Sequence, residues 1–269
     1  MAIYKIFPTK DTTLYSEYLS MNTGLDAILE ASNVLDIAGI PVVSRYLIEF
    51  DTPEIEDIIT NKISGSSFDV FLKNSISTAQ GINADIDLEI FAVAQSWNNG
   101  TGHYLDSPIV QPVLKYYSVD TNTIYPPQLE FRWRDYSQYD PLSIVTTTQL
   151  KLSLDDNPGE FHPSSVNRFY VNVSPLYPTR TYKTSSLFTD TNYLPTSSFY
   201  AVKDLSTNEF VINFDDQYTQ ISSDERGNYF DVYMSGLEPE RYYKILIKTN
   251  INGSVLILDD DYYFKVING

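Results

Sequence analysis

Side chains that could act as acids, bases or nucleophiles are few and lack the spacing of known sites. The chain contains two histidines, His103 and His162, and no cysteine. Neither histidine has a second one at the H-x-x-x-H spacing of a helical zinc site, and no thiolate could complete such a site. The sequence also lacks the G-x-S-x-G turn that exposes a nucleophilic serine. We therefore expect no catalytic residues, no metal-ligating residues and no enzyme activity.

Acidic residues occur in short runs that could bind a cation. Ca2+ takes roughly six to eight oxygen ligands, but none of the runs has the alternating ligands and central glycine of an EF-hand. Glycoside hydrolysis would need two carboxyl groups about 5 to 9.5 Å apart, a separation that sequence does not give. We expect no cofactor, with a structural Ca2+ ion left open. The runs lie at 155–156, 215–216, 224–225 and 259–261.

The segment FRWRDYSQYD, at 131–140, combines arginine, tyrosine and tryptophan, the residue types that dominate interface energetics. Strand alternation places Trp133 on one face and Arg132 and Arg134 on the other. With Trp133 buried, the two guanidinium groups could bind carboxylates of a neighbouring protein. The alternative is that both tryptophans fill the core and the arginines are solvated. The candidate interface residues are Arg132, Arg134, Tyr136, Tyr139, Arg180, Tyr182 and Tyr193.

Short β-strands are the elements expected to position these side chains. Aromatic residues make up 14% of the chain, and tyrosine and phenylalanine favour half-buried sheet positions. Strand candidates separated by turn residues are typical of an antiparallel β-sandwich or jelly roll. In the first half they lie at 3–7, 13–15, 28–31, 46–50, 68–72, 86–94, 129–133 and 150–154.

One amphipathic helical turn interrupts the β pattern after the fourth strand candidate. Thr52 can cap this turn, and Pro53 suits its first position. Three isoleucines share one face: Ile55, Ile58 and Ile59. We interpret the turn as a lid whose isoleucines cover apolar side chains at an open end of the sandwich.

A second β pattern follows the turn-rich stretch 153–165, which is the best candidate for a domain boundary. Near the C-terminus, two apolar strands flank Asn252-Gly253, a dipeptide that predicts a hairpin with a type I′ turn. We therefore predict an all-β protein of two antiparallel β-sandwich domains, 1–158 and 159–269.

The motifs of the first half occur in a recognisable order. They are DTTLY at 11–15, NTG at 22–24, ILEA at 28–31, RYLIEFD at 45–51 and FAVAQSWNNGTG at 91–102. Over residues 1–155 this order resembles the DNRLRE-type domains, which are jelly rolls related in shape to carbohydrate-binding modules. The resemblance implies a jelly roll for the N-terminal domain. The sequence departs from the family where an acidic residue usually follows the tryptophan, here Asn98 or Asn99, and by an insertion at 104–135.

The second half carries GLEPERYYKILIKT at 236–249. This stretch looks like the tyrosine corner and following strand of fibronectin- or immunoglobulin-like domains, which implies such a sandwich for the C-terminal domain. The combination with a DNRLRE-like head is similar to structural proteins of large tailed bacteriophages. That similarity implies a virion component of the neck, tail or capsid surface.

Charge and composition narrow the choice of partners. A formal net charge of −17 disfavours nucleic acid and anionic membranes, because both would repel the chain at long range. The lack of cysteine fits synthesis in a reducing cytosol. The sequence begins without a signal-peptide pattern, and no apolar run approaches the roughly 18 residues that span a bilayer. We expect a soluble protein that is not exported by the usual signal.

Two functional hypotheses follow. The first is a non-enzymatic structural protein of a tailed-phage virion, which docks onto other virion proteins in multiple copies set by the particle's symmetry. The second is a carbohydrate-binding module for host-surface glycans, with Trp97, Tyr104 or Tyr136 as an exposed stacking platform. Burial of both tryptophans and absence of glycan binding would argue against the second.

Overall fold

A computed structural model describes most of the chain, and the described residues are 2–19, 21, 23–65, 67–80, 88–103, 113–139, 144–155, 157–177 and 191–268. Strands dominate, and helical structure is limited to short segments. The prediction of an all-β fold built from β-sandwich domains is confirmed. The first eight strands are β1 (Ala2–Ile6), β2 (Pro8–Tyr15), β3 (Ile28–Leu35), β4 (Pro41–Phe50), β5 (Phe68–Lys73), β6 (Ile76–Gln80), β7 (Val113–Tyr117) and β8 (Gln128–Trp133).

Ten further strands follow in the rest of the chain. They are β9 (Leu150–Asp155), β10 (Glu160–Phe161), β11 (Val166–Pro175), β12 (Ser198–Asp204), β13 (Phe210–Ile212), β14 (Ser222–Ser223), β15 (Asn228–Tyr233), β16 (Tyr242–Ile251), β17 (Ser254–Leu258) and β18 (Tyr263–Val266). A 3-10 turn at Met234–Gly236 precedes β16.

One predicted strand of the first half is wrong. Residues 88–94 form no strand, and the side chains of Ile90 and Phe91 are 73% and 75% exposed; residues 86–87 lie outside the described ranges. Strand β7 pairs instead with both β3 and β6. An apolar stretch forms a strand only where another strand is available to pair with its backbone. The local sequence does not show whether such a strand is present.

The predicted helical turn exists but differs in detail. Helix α1 spans Thr52–Asp57 and continues as a π-helix at Ile58–Lys62. The N-cap residue is Asp51, without a side-chain cap bond, so the cap prediction for Thr52 is wrong. Ile58 is fully buried, but Ile59 is 44% exposed, so the predicted apolar face is covered only in part. Of the expected lid, Ile58 makes the buried contact.

Contacts divide the chain into two compact units. One unit comprises Met1–Lys5, Asn61–Val70 and Phe131–Gly269, and the other comprises Ile6–Thr60 and Phe71–Glu130. The predicted boundary near residue 158 thus falls inside the first of these units. The physical reason is that β9 pairs with β11, so residues on both sides of 158 share one sheet. Strands β1, β8 and β5 form a three-stranded sheet.

The smaller unit contains a five-stranded antiparallel sheet in the order β2-β4-β3-β7-β6. A buried threonine, Thr23, ties the loop before β3 to the first strand of this sheet. Its hydroxyl donates to the carbonyl of Thr13 and accepts from the amide of the same residue, both over 2.9 Å. These bonds satisfy buried polar groups that would otherwise be costly.

The larger unit is a two-sheet sandwich. Its six-stranded sheet has the order β10-β18-β16-β12-β13, with β17 beside β16, and its four-stranded sheet has the order β14-β15-β11-β9. Aromatic side chains join the sheets: the rings of Tyr200 and Phe230 stack 4.4 Å apart, and those of Phe169 and Phe264 lie 5.8 Å apart. Antiparallel pairing holds between the strands whose register is described, except that β10 and β18 are parallel.

Strand β16 begins and ends with turns that the sequence predicted. The turn between β16 and β17 has positive φ at Asn252 (51°) and Gly253 (83°), as a type I′ turn requires, so the hairpin prediction is confirmed. At the start of β16, the hydroxyl of Tyr243 donates to the backbone carbonyl of Glu238 over 2.9 Å. This is the hydrogen bond that defines a tyrosine corner.

Candidate functional site

The segment 134–139 contains three of the seven predicted interface residues and runs beside β14. The amide of Ser223 donates to the carbonyl of Ser137 over 2.9 Å, and the amide of Tyr139 donates to the hydroxyl of Ser223, also over 2.9 Å. These bonds hold the segment against β14, the edge strand of the four-stranded sheet.

The side chains of Arg132 and Trp133, at the end of β8, contact residues of their own unit. Trp133 is 1% exposed. The guanidinium of Arg132 lies 3.3 Å from the carboxylate of Asp215 and 5.7 Å from the ring centroid of Tyr218. Its positive charge is therefore already paired, which leaves less of it for a neighbouring protein than the sequence suggested.

Arg134 and Tyr136 form the next part of the segment. Arg134 is exposed, with its guanidinium 5.9 Å from the ring centroid of Tyr136. Tyr136 is half-buried against the core, and its hydroxyl donates to the side chain of Gln138 over 3.0 Å. Burial raises the pKa of the Tyr136 hydroxyl, and the nearby Arg134 charge opposes that rise.

Tyr139 and Tyr193 come together although they are far apart in sequence. Their ring centroids lie 6.0 Å apart; Tyr139 is 41% exposed and Tyr193 is 6% exposed. The hydroxyl of Tyr193 donates to the backbone carbonyl of Asp224 over 3.1 Å. The other candidates, Arg180, Tyr182 and Tyr104, lie outside the described residues.

Asp224 connects these tyrosines to the outer face of the four-stranded sheet. Its carboxylate accepts the amides of Arg226 and Gly227, over 2.9 and 3.1 Å, which closes the turn between β14 and β15. The same carboxylate accepts the hydroxyl of Tyr170 over 2.9 Å. One acidic residue thus holds a turn and orients two tyrosines.

Two arginines cover the tyrosines of this face. The guanidinium of Arg168 lies 4.0 Å above the ring of Tyr229, and that of Arg226 lies 4.0 Å above the ring of Tyr170. Arg168 also binds both carboxylate oxygens of Asp231, over 2.8 and 2.9 Å, and this bond raises the pKa of the guanidinium. We call the set the tyrosine–arginine surface, and its residues are Tyr139, Arg168, Tyr170, Tyr193, Arg226 and Tyr229.

Four members of this surface were missed by sequence reasoning: Arg168, Tyr170, Arg226 and Tyr229. The polar side of the alternation in β11 contains Arg168 and Tyr170, which was a usable signal. Tyr229 becomes their neighbour only through the register of β11 and β15, in which Tyr170 stands opposite Tyr229. Chemically, the surface offers cations, aromatic rings and hydroxyl groups held in fixed positions for binding.

The glycan-stacking candidate Trp97 lies in the smaller unit. It is half-buried, and the ammonium group of Lys10 lies 4.7 Å from its ring centroid. Lys10 also donates to the backbone carbonyl of Trp97 over 2.6 Å. The following loop packs on Gly24, whose carbonyl accepts the side-chain amide of Asn99 over 3.2 Å. Trp97 is thus partly covered by its own unit.

The acidic runs serve turns and ion pairs. Asp215 accepts the amides of Gln217 and Tyr218, over 2.8 and 2.9 Å, and Asp259 and Asp261 both pair with Lys244. Within the described ranges, no group of three or more potential metal ligands lies close enough to hold an ion. Across the same residues, no helix has the length and apolarity needed to cross a bilayer.

Comparison with known proteins yields no match: no family model fits the chain, and no curated protein or solved structure is significantly similar to it.

Proposed function

We propose that this chain is a non-enzymatic structural protein that docks onto other proteins through the tyrosine–arginine surface. The observation that carries the proposal is the pair of guanidinium groups stacked 4.0 Å above Tyr170 and Tyr229 on a solvent-facing sheet. From the sequence resemblance we further propose that the chain acts in a tailed-phage virion, as a neck, tail or capsid-surface component present in multiple copies.

The fixed geometry of the surface suits a docking role. Ordering a rotamer-rich side chain costs about 0.5 to 1.5 kcal/mol on binding. Arg168 and Tyr170 are already held by hydrogen bonds to Asp231 and Asp224, so much of that cost is met during folding. Tyrosine and arginine are also the residues most often found as binding hot spots.

The charge of the chain indicates the chemistry of the partner. A net charge of −17 attracts a basic protein at long range and repels an acidic one, and this affects the association rate more than the final affinity. A virion neighbour with a net positive charge fits the overall charge of the chain, and aromatic rings or carboxylates at the contact fit the arginines and tyrosines of the surface.

Glycan binding has weaker support. Sugar stacking needs an open aromatic face, whereas Trp133 is buried and Lys10 lies over Trp97. A glycan array with measurement of tryptophan quenching addresses this alternative directly. Binding that is lost in Trp97→Ala would favour the carbohydrate-binding hypothesis over docking.

Complementation of a phage that lacks this gene tests the proposal. Particles assembled with the wild-type chain supplied in trans should contain it at a fixed copy number by quantitative mass spectrometry. The double variant Arg226→Ala/Tyr229→Ala should be incorporated at least about tenfold less, as expected for loss of hot-spot residues. Tyr242→Ala changes a 55% exposed tyrosine of the six-stranded sheet; it is the matched control and should incorporate normally. Absence of the wild-type chain from particles, or normal incorporation of the folded double variant, would contradict the proposal.

A further inference from the structure

Strand β17 forms an open edge of the six-stranded sheet. It pairs with β16, and no other strand pairs with it among the described residues. Its sequence, SVLIL, has no charged residue, proline or bulge, the usual devices that protect an exposed edge. The side chains of Val255 and Ile257 are 63% and 60% exposed. The edge strand β9, in contrast, exposes Lys151 and Asp155.

The hairpin geometry determines which backbone groups of β17 face outward. A two-residue turn makes Ile251 and Ser254 a hydrogen-bonded pair, and bonded and non-bonded pairs then alternate along the ladder. Val255 and Ile257 therefore take non-hydrogen-bonded positions relative to β16. Their N–H and C=O groups point to the open side, where a further strand can bind them.

We propose that β17 pairs antiparallel with β17 of a second copy of this chain, across a two-fold axis at Leu256. Val255 then stands opposite Ile257 of the second copy, in a pair that exchanges both of its backbone hydrogen bonds. The symmetry-related pair, Ile257 with Val255 of the second copy, also exchanges two backbone hydrogen bonds. The exposed apolar side chains of both strands pack together. Because the interface is isologous, it closes as a dimer and does not grow into a fibre.

The charges near β17 are compatible with this register, which favours a second copy as the occupant. The acidic stretch 259–261 of one copy lies near the uncharged turn Asn252-Gly253 of the other, so like charges do not meet. The first and last carboxylates of that stretch are already paired with Lys244, over 2.6 and 2.8 Å. Lys248, opposite Ile257 in the hairpin, leans over phenylalanine rings beyond β16 and leaves the edge apolar.

The size of the edge sets the expected strength of the dimer. Strand β17 has 5 residues, so its edge buries less than the roughly 800 Å2 per partner of a standard interface. We therefore expect a dimer whose population depends on concentration. The dimer does not depend on the proposed function, because β17 belongs to the six-stranded sheet and the tyrosine–arginine surface lies on the four-stranded sheet.

Analytical ultracentrifugation of the full chain up to the upper micromolar range measures the association. The wild type should shift from monomer to dimer, whereas Ile257→Lys should remain monomeric because it places charge on the open edge. Val166→Lys changes a comparably exposed valine, 49% exposed at the start of β11, and should dimerise normally.

Disulfide trapping tests the register and does not rely on a destabilising variant. The chain has no cysteine of its own, so Val255→Cys and Ile257→Cys can be mixed under mild oxidation. The mixture should form a crosslinked dimer, and a mixture of Val166→Cys with Ile257→Cys should not. A wild type that stays monomeric throughout, a folded Ile257→Lys that still dimerises, or a Val255/Ile257 mixture that crosslinks no more than the control would each overturn the proposal. None of these results would affect docking through the tyrosine–arginine surface.

Discussion

The hydroxyl of Tyr170 donates a hydrogen bond to the carboxylate of Asp224 over 2.9 Å, and the same carboxylate accepts two backbone amides of the turn that follows. One side chain therefore supports both a β-turn and the orientation of an aromatic ring on the proposed docking surface. Asp224 is the residue through which the stability of this region and the order of the surface are coupled.

Replacement of Asp224 by alanine should lower the free energy of unfolding by about 1.5 to 3 kcal/mol, the range for hydrogen bonds to a charged group. Asp224→Asn retains a carbonyl oxygen as acceptor and should lose less. Urea unfolding measures both changes. Glu225→Ala, at the next and exposed position, is the control and should stay within about 0.5 kcal/mol of wild type; equal losses at 224 and 225 would refute the role of this carboxylate.

The tyrosine corner leads to a second prediction. Tyr243 is 1% exposed and donates to the carbonyl of Glu238. Tyr243→Phe removes the donor and leaves that carbonyl without its partner, so the free energy of unfolding should fall by about 1 to 2 kcal/mol. Tyr242→Phe alters the neighbouring tyrosine, which is 55% exposed. Chemical denaturation should leave this variant unchanged, and a comparable loss in both variants would contradict the role given to the corner.

Asp11 makes the stability of the smaller unit depend on pH. Its side chain is 1% exposed and accepts the amide of Val119 over 2.7 Å. Burial raises its pKa to about 7, the Val119 hydrogen bond lowers it, and the charge of Asp120 raises it further. Because this value lies above the usual 3.8, the native state binds the proton more tightly than the unfolded state does. The free energy of unfolding should therefore fall as pH rises from about 4 to about 7, by about 4 kcal/mol from this group.

Asp11→Asn isolates this contribution because it cannot ionise and still offers an oxygen to Val119. The variant should match wild type near pH 4 and be the more stable protein near pH 8, as measured by urea unfolding across that range. A difference between the two proteins that is constant with pH would show that Asp11 titrates normally.

The close approach at Gly24 gives a further test in the smaller unit. A Cβ added at this position would overlap the backbone carbonyl of Asn99. Gly24→Ala should therefore displace the loop after Trp97, cost about 1 to 3 kcal/mol as overpacking does, and increase acrylamide quenching of that tryptophan. Asn98→Ala, at an exposed position of the same loop, should leave the quenching unchanged. Unaltered quenching in folded Gly24→Ala would contradict the packing described for this loop.

Local chemistry explains which parts of the fold could be predicted from sequence. The hairpin at Asn252-Gly253 was predictable because the turn conformation is encoded in the two residues that adopt it. The absent strand at 88–94 was not, since strand formation there depends on a distant partner. The exposure of Ile59 was not predictable, because helical spacing gives the face on which a residue lies but not what covers that face.

The residues of the candidate site were also predictable only in part. Arg134, Tyr136 and Tyr139 were recognisable as one aromatic and basic segment, and Tyr193 was recognisable only as a residue type of binding surfaces. Tyr193 is connected to Tyr170 through Asp224, which sequence reasoning considered only as part of an acidic run. The positions of Tyr229 and Arg226 follow from sheet register and turn geometry, which no local pattern of residues encodes.

Cryo-electron microscopy of the intact phage particle is the most direct test of docking through the tyrosine–arginine surface. We predict density for this chain in copies related by the particle's symmetry, with the outer face of the β14-β15-β11-β9 sheet covered by another virion protein and Tyr229 at the contact. A particle without this chain, or one in which that sheet faces solvent in every copy, would contradict the account.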